Sequence, residues 1–197
     1  MIRLLIVFMF VATACTPPAK CSGAACTCKV AGTSVDSPYY CDVPACDRCR
    51  LSCGDNARCS YTGGHDATVD CAQGLSCGGD LGDRATVTCG TNTPCTLVVG
   101  HDAKVTVAST LEGGNTALIT AGDRAALTCA ANGRCIFGAG HDATVSCESG
   151  SDCLVTTKQR GKLTCAANAS CSIACESCQL VCEAGTRKCE CLNNNCT

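Results

Sequence analysis

Small or apolar residues occupy every second position in "ATVDC" (67–71), "ATVTC" (85–89) and "ATVSC" (143–147), with polar residues between them. The stretch returns at a fixed step. Aligned on the residue seven positions before the first cysteine of each C-x5-C, segments begin at 46, 64, 82, 100, 122, 140 and 158, a step of 18 broken once by a step of 22. The fifth position after each start is Leu51, Val69, Val87, Val105, Leu127, Val145 and Leu163, and the sixth is polar in every segment, from Ser52 to Thr164. Such period-two runs, rich in β-branched side chains, predict a half-buried strand. A second run starts at the second cysteine and turns Tyr61, Leu97, Ile119, Phe137, Val155 and Ile173 inward. Between the runs stand Asn56, Gly74, Asn92, Asn132, Gly150 or Asn168, turn residues that tolerate positive φ.

Two short strands and two turns cannot bury a core alone, so the units must stack. The expected fold is all-β: a parallel β-solenoid (β-helix) of about seven to eight 18-residue coils with disulfide-knotted caps. An irregular eighth unit is expected because "CESCQLVC" (175–182) echoes "CDRCRLSC" (46–53). At about 4.8 Å per strand, seven coils make a rod of roughly 30–35 Å with a thin interior.

Six segments carry the cysteine pair: Cys53/Cys59, Cys71/Cys77, Cys89/Cys95, Cys129/Cys135, Cys147/Cys153 and Cys165/Cys171. The coil starting at 100 has Val107 and Ala117 instead. Losing both together is what pairing within a coil predicts, since pairing between coils would orphan the neighbours. This C-x5-C per coil resembles the disulfide-stapled solenoids of beetle antifreeze proteins, whose coils are shorter; the resemblance covers architecture and spacing.

The first two positions after each start read Asp47-Arg48, His65-Asp66, Asp83-Arg84, His101-Asp102, Asp123-Arg124, His141-Asp142 and Gln159-Arg160. In-register stacking brings equal positions together, and equal charges would repel at every step. The alternation of Arg48, Asp66, Arg84, Asp102, Arg124, Asp142 and Arg160 makes that column a charge ladder and the true repeat two coils.

His65, His101 and His141 invite a metal or catalytic reading, but in alternate coils they would stand about 9–10 Å apart, too far to share one ion. No nucleophile recurs beside them, and only one corner bears the glycine and aspartate that calcium-binding β-rolls need at two. The hydroxyl columns with Thr88, Thr106, Thr128 and Thr164 suggest an ice-binding face, yet Asp70, Lys104, Ala126 and Lys162 interrupt them. The expectation is therefore no catalytic residue, no metal site and no cofactor.

Composition decides the compartment. There are 25 cysteines in 197 residues, three Phe, three Tyr, no Trp and a net charge of −2. Near-neutrality argues against a nucleic-acid surface, and so many cysteines imply an oxidising compartment. Arg3, the run "LLIVFMFVA" and the small residues before Cys15 form an export signal too short for a mature membrane span. Cys15 after those small residues resembles the lipobox of bacterial lipoproteins, although Ala12 stands where leucine is usual. The resemblance implies cleavage before Cys15, lipidation of Cys15 and anchoring, with Thr16 favouring the outer membrane; plain secretion is the alternative. Setting Cys15 aside leaves 25 − 1 = 24 cysteines, an even set.

The expected order is a signal peptide (1–14), a lipidated cysteine and linker (15–20), a cysteine-rich N-terminal cap (21–45), solenoid repeats (46–175) and a cysteine-rich C-terminal cap (176–197). CxxC at 46–49 and 175–178 is expected to belong to disulfide-knotted ends rather than to redox or zinc chemistry. The expected function is a non-catalytic surface lipoprotein, a structural, adhesive or interaction scaffold with a protein or glycan partner. The four-residue insertion near "STLEGGNTA" (109–117) is a candidate contact loop. The alternatives are a metal- or ice-binding solenoid and, last, a carbohydrate-active β-helix enzyme, which would need unpaired acids in a cleft.

Overall fold

The alternating runs become strands wherever the computed structural model describes the chain: residues 20–22, 25–28, 39–43, 47–54, 57–71, 75–91, 93–108, 116–193 and 195–197. The expected signal peptide, Cys15, Cys46 and most of the insertion lie outside these residues. The first strands are β1 (Lys20–Ser22), β2 (Ala25–Cys28) and β3 (Tyr39–Val43). Next come β4 (Arg50–Cys53), β5 (Ala57–Thr62), β6 (Thr68–Cys71), β7 (Ser76–Leu81), β8 (Thr86–Cys89) and β9 (Cys95–Val99). They are followed by β10 (Lys104–Val107), β11 (Ala117–Ala121), β12 (Ala126–Cys129), β13 (Arg134–Ala139), β14 (Thr144–Cys147) and β15 (Asp152–Thr157). The last are β16 (Lys162–Cys165), β17 (Ser170–Ala174), β18 (Gln179–Cys182) and β19 (Lys188–Cys191).

Each coil gives one strand to each of two sheets. The even-numbered strands, with β1 at the edge, form a ten-stranded sheet, and the odd-numbered strands from β3 to β19 form a nine-stranded one. Neighbours pair in parallel with equal repeat positions facing each other, as in Val105↔Val87 and Val105↔Leu127. This is the parallel solenoid that the 18-residue step predicts. β1 alone pairs antiparallel, with β2, and so covers the N-terminal edge of its sheet. At the far end residues 195–197 run along the start of β18, with Cys178 N–H donating to the Asn195 carbonyl and Thr197 N–H to that of Cys178.

The core is built in columns. Leu51, Val69, Val87, Val105, Leu127, Val145 and Leu163 are buried, as are Tyr61, Leu97, Ile119, Phe137, Val155 and Ile173. Tyr61 faces Gly79 across the ladder, and a Cβ at Gly79 would stand 2.0 Å from the Tyr61 carbonyl oxygen. That contact and a φ of +136° reserve the position for glycine. At the turns, Asn132, Gly150 and Asn168 adopt positive φ; Asn56, Gly74 and Asn92 lie outside the described residues.

Cys53–Cys59, Cys71–Cys77, Cys89–Cys95, Cys129–Cys135, Cys147–Cys153 and Cys165–Cys171 are joined within their own coils, each across one turn between the two sheets. By the chain-entropy model each such short loop stabilises the fold by about 2 kcal/mol. The irregular eighth unit expected from 175–182 is a further coil within residues 176–197: β18 and β19 stay in register, with Cys182 beside Cys165 and Cys189 beside Cys171. Its links are Cys175–Cys178, Cys182–Cys189 and Cys191–Cys196.

Val107 and Ala117 are buried in the staple columns, Val107 between Cys89 and Cys129 and Ala117 beside Cys135. Val107→Cys together with Ala117→Cys is therefore expected to form a seventh staple and raise the melting temperature by roughly 4–8 °C in non-reducing calorimetry. Val107→Cys alone is expected to add one titratable thiol and no stability. Peptide mapping that found residue 107 linked to a neighbouring coil would contradict the within-coil geometry.

Candidate functional site: the charged corner

The corner between an odd-numbered strand and the next even-numbered one gathers the conspicuous polar residues. Its second residue, Arg48, Asp66, Arg84, Asp102, Arg124, Asp142 or Arg160, sits at φ between 52° and 59° in each of these seven coils. This left-handed region disfavours L side chains, arginine more than aspartate. The backbone is held there by the next coil: Arg84 N–H donates to the His101 carbonyl at 2.8 Å, Asp102 N–H to that of Asp123 at 2.9 Å, and Arg124 N–H to that of His141 at 2.7 Å.

The side chains of this column form three separate clamps. Arg84 grips Asp66 through Nε and Nη2 at 2.7 and 2.9 Å, Arg124 grips Asp102 at 2.7 Å through both, and Arg160 grips Asp142 at 2.6 Å through both. The guanidinium always comes from the following coil, and its fork takes both oxygens of one carboxylate. Among the described residues no ion pair joins Arg84 to Asp102 or Arg124 to Asp142. The charge ladder thus takes the form of every-other-step dyads. The arginine hydrogen bonds hold the carboxyls of Asp66, Asp102 and Asp142 below the usual range and raise their arginine partners.

The first residue of the corner forms a continuous chain. His65 N–H donates to Asp47 Oδ1 at 2.8 Å, and Asp83 N–H donates to His65 Nδ1 at 3.2 Å. His101 N–H then donates to Asp83 Oδ1 at 2.8 Å, Asp123 N–H to His101 Nδ1 at 3.0 Å, and His141 N–H to Asp123 Oδ1 at 2.8 Å. Aspartate Oδ1 and histidine Nδ1 are each bonded to Cγ, so either residue offers an acceptor at the same reach. Histidine keeps the acceptor while separating aspartates that would otherwise stack as like charges. An Nδ1 that accepts carries its ring proton on Nε2. The backbone bond from His141 also holds the Asp123 carboxyl below its ordinary range.

The glycine ahead of the pair completes the motif. A Cβ at Gly64, Gly100 or Gly140 would stand 1.9, 2.3 or 2.1 Å from Oδ1 of Asp47, Asp83 or Asp123 on the preceding coil. So "GHD" spells a gap for the neighbour's acceptor, an acceptor, and an αL residue for the clamp.

This arrangement uses its polar groups internally. Among the described residues no group of three or more His, Cys, Asp or Glu is placed to hold a metal ion. Cys175 and Cys178 of the second CxxC are buried and joined to each other. The hydroxyl column is in register over Thr88, Thr106, Thr128, Ser146 and Thr164, but its companion column reads Thr86, Lys104, Ala126, Thr144, Lys162. Compared with known proteins, the chain matches no family model, no curated protein and no solved structure.

Two outcomes are expected at the corner. His101→Asn, which keeps a δ acceptor, should melt with the parent, His101→Ala should melt roughly 2–4 °C lower, and His101→Asp should be destabilised mainly at low salt. A carboxylate whose acidity rises on folding stabilises the fold above its unfolded-state pKa, and that contribution disappears as pH falls through the folded-state value. Thermal scans should therefore be flat near neutrality and fall below about pH 4. The combined variant Asp66→Asn, Asp102→Asn, Asp142→Asn should melt lower at pH 7 and converge with the parent near pH 2.

Proposed function

We propose that the chain is exported, is held at the outer membrane or cell surface through lipid on Cys15, and presents its solenoid as a non-catalytic structural or adhesive scaffold toward a protein or glycan. The observation that carries this reading is how the corner is used. Asp66, Asp102 and Asp142 are each occupied by a bidentate arginine, and Asp47, Asp83 and Asp123 cap the next coil. A β-helix hydrolase needs uncommitted carboxylates flanking its bond, and these acids are committed to register. Each coil is closed on itself by a staple at one turn, and neighbouring coils are clamped to one another at the other. Such a body holds its shape without a ligand, which suits display. Ice binding fits less well, since lysines project from the companion column beside the threonines.

The anchor supplies the test. In a bacterial host the full chain is expected to incorporate labelled palmitate and sediment with outer membranes. Cys15→Ser should lose the label and leave the membrane fraction while keeping its melting temperature. Export of unlabelled, freely soluble parent protein would replace the anchored reading with plain secretion.

A further inference from the structure

The two outer faces of the solenoid differ in a way that the fold does not require. On the nine-stranded sheet Leu118, Ile136 and Leu154 are direct cross-strand neighbours, 45, 38 and 43% exposed, with Val98 at 50% one strand away. In the same coils the ten-stranded sheet carries Thr106, Thr128 and Ser146 on its outer face. Threonine therefore satisfies an exposed position of such a strand, and the aliphatic stripe needs another cause. Three of the six large apolar residues exposed among the described residues form it, and Val98, beside Thr120, flanks it.

We infer that this face binds a second copy of the chain, sheet on sheet, with the two rods side by side and pointing the same way. Nine strands at 4.8 Å and about five residues at 3.3 Å give a face of roughly 700 Å² per copy, close to the ~800 Å² per partner of a standard interface. A second copy also offers the same aliphatic ladder at the same spacing, so side chains of the two stripes interdigitate as in a sandwich about 10 Å thick.

Charge selects the direction. A two-fold axis along the rods lays each stripe on its copy and sets residues two before the stripe against residues two after it. Arg134 then faces Gly138, Asp152 faces Thr156, Asp80 faces Ser76, and Val98 meets Pro94. Reversing one rod about Ile136 sets Arg134 against its own copy. In the parallel arrangement Glu190 approaches its copy at the C-terminal margin, where Lys188 and Ser172 already hold it and the sheets diverge with their crossing angle. Both rods have their N-terminal ends together, as two anchored chains would; only this last point rests on the proposed lipid.

The test uses the full chain with Cys15→Ser, so that lipid cannot drive association. Sedimentation equilibrium at tens of micromolar should give twice the mass of the 20.0 kDa chain. Leu118→Thr, Ile136→Thr, Leu154→Thr together should weaken the dimer about 100-fold with an unchanged melting temperature. A photo-crosslinking benzoylphenylalanine at Leu118 should join to the partner's segment 117–121. A monomer at 100 µM, a triple variant that dimerises like the parent, or a monomer that instead binds phosphatidylglycerol vesicles through this face would overturn the proposal. A crosslink from position 118 to segment 152–157 would overturn the parallel direction.

Discussion

Each strand position described along the solenoid lies beside the same repeat position of the next coil, one strand spacing away. Parallel, in-register pairing imposes that condition through eighteen described strands of the two sheets, and the sequence satisfies it column by column. Valine and leucine stack on themselves without cost, and the core column from Leu51 to Leu163 holds nothing else. Cysteines stack because each is already joined to its coil-mate. Charged groups cannot do so, and the corner shows two solutions. One column alternates arginine with aspartate, and the other alternates aspartate with histidine so that the acceptor is kept and the charge is not.

The same condition explains an apparent contradiction at the corner. Arginine in the left-handed region is a poor local choice, and glycine would fit more easily. Glycine carries no guanidinium, however, and the clamps between coils would disappear. The backbone is instead held by the carbonyl of the next coil, and glycine is spent two positions earlier, where the backbone of the preceding coil leaves no room for a Cβ on Gly82 or Gly122. Local strain at one residue thus accompanies specificity of stacking, since a slip by one coil would put Arg84 against Arg124 or Asp66 against Asp102.

Much of this was legible in the amino-acid order. Period two marked Val87 and Leu97 as inward, the 18-residue step gave the parallel stack, and the joint loss at Val107 and Ala117 pointed to staples inside coils. Asn132, Gly150 and Asn168 announced their turns. The positive φ at Arg84 or Arg124 was hidden, because residue type there argues against it and only the next coil's carbonyl enforces it. The δ-acceptor column was visible only as an unexplained His/Asp alternation; the glycine fixed ahead of it was the missing clue. Register alone could not show which steps of the ladder close, because that depends on the direction in which the guanidinium leans. The aliphatic stripe was masked as well, since outward Leu118 and Ile136 sit between inward apolar neighbours and blur the period-two signal.

The most direct measurement is of the bond that joins one coil's amide to the next coil's imidazole. In a uniformly ¹⁵N-labelled sample at neutral pH, a trans-hydrogen-bond nitrogen–nitrogen correlation should connect the Asp123 amide to Nδ1 of His101, and the Asp83 amide to Nδ1 of His65. The ring protons should reside on Nε2. Rings protonated at Nδ1, or amides of Asp83 and Asp123 that exchange with solvent like an open loop, would contradict a corner built from stacked acceptors.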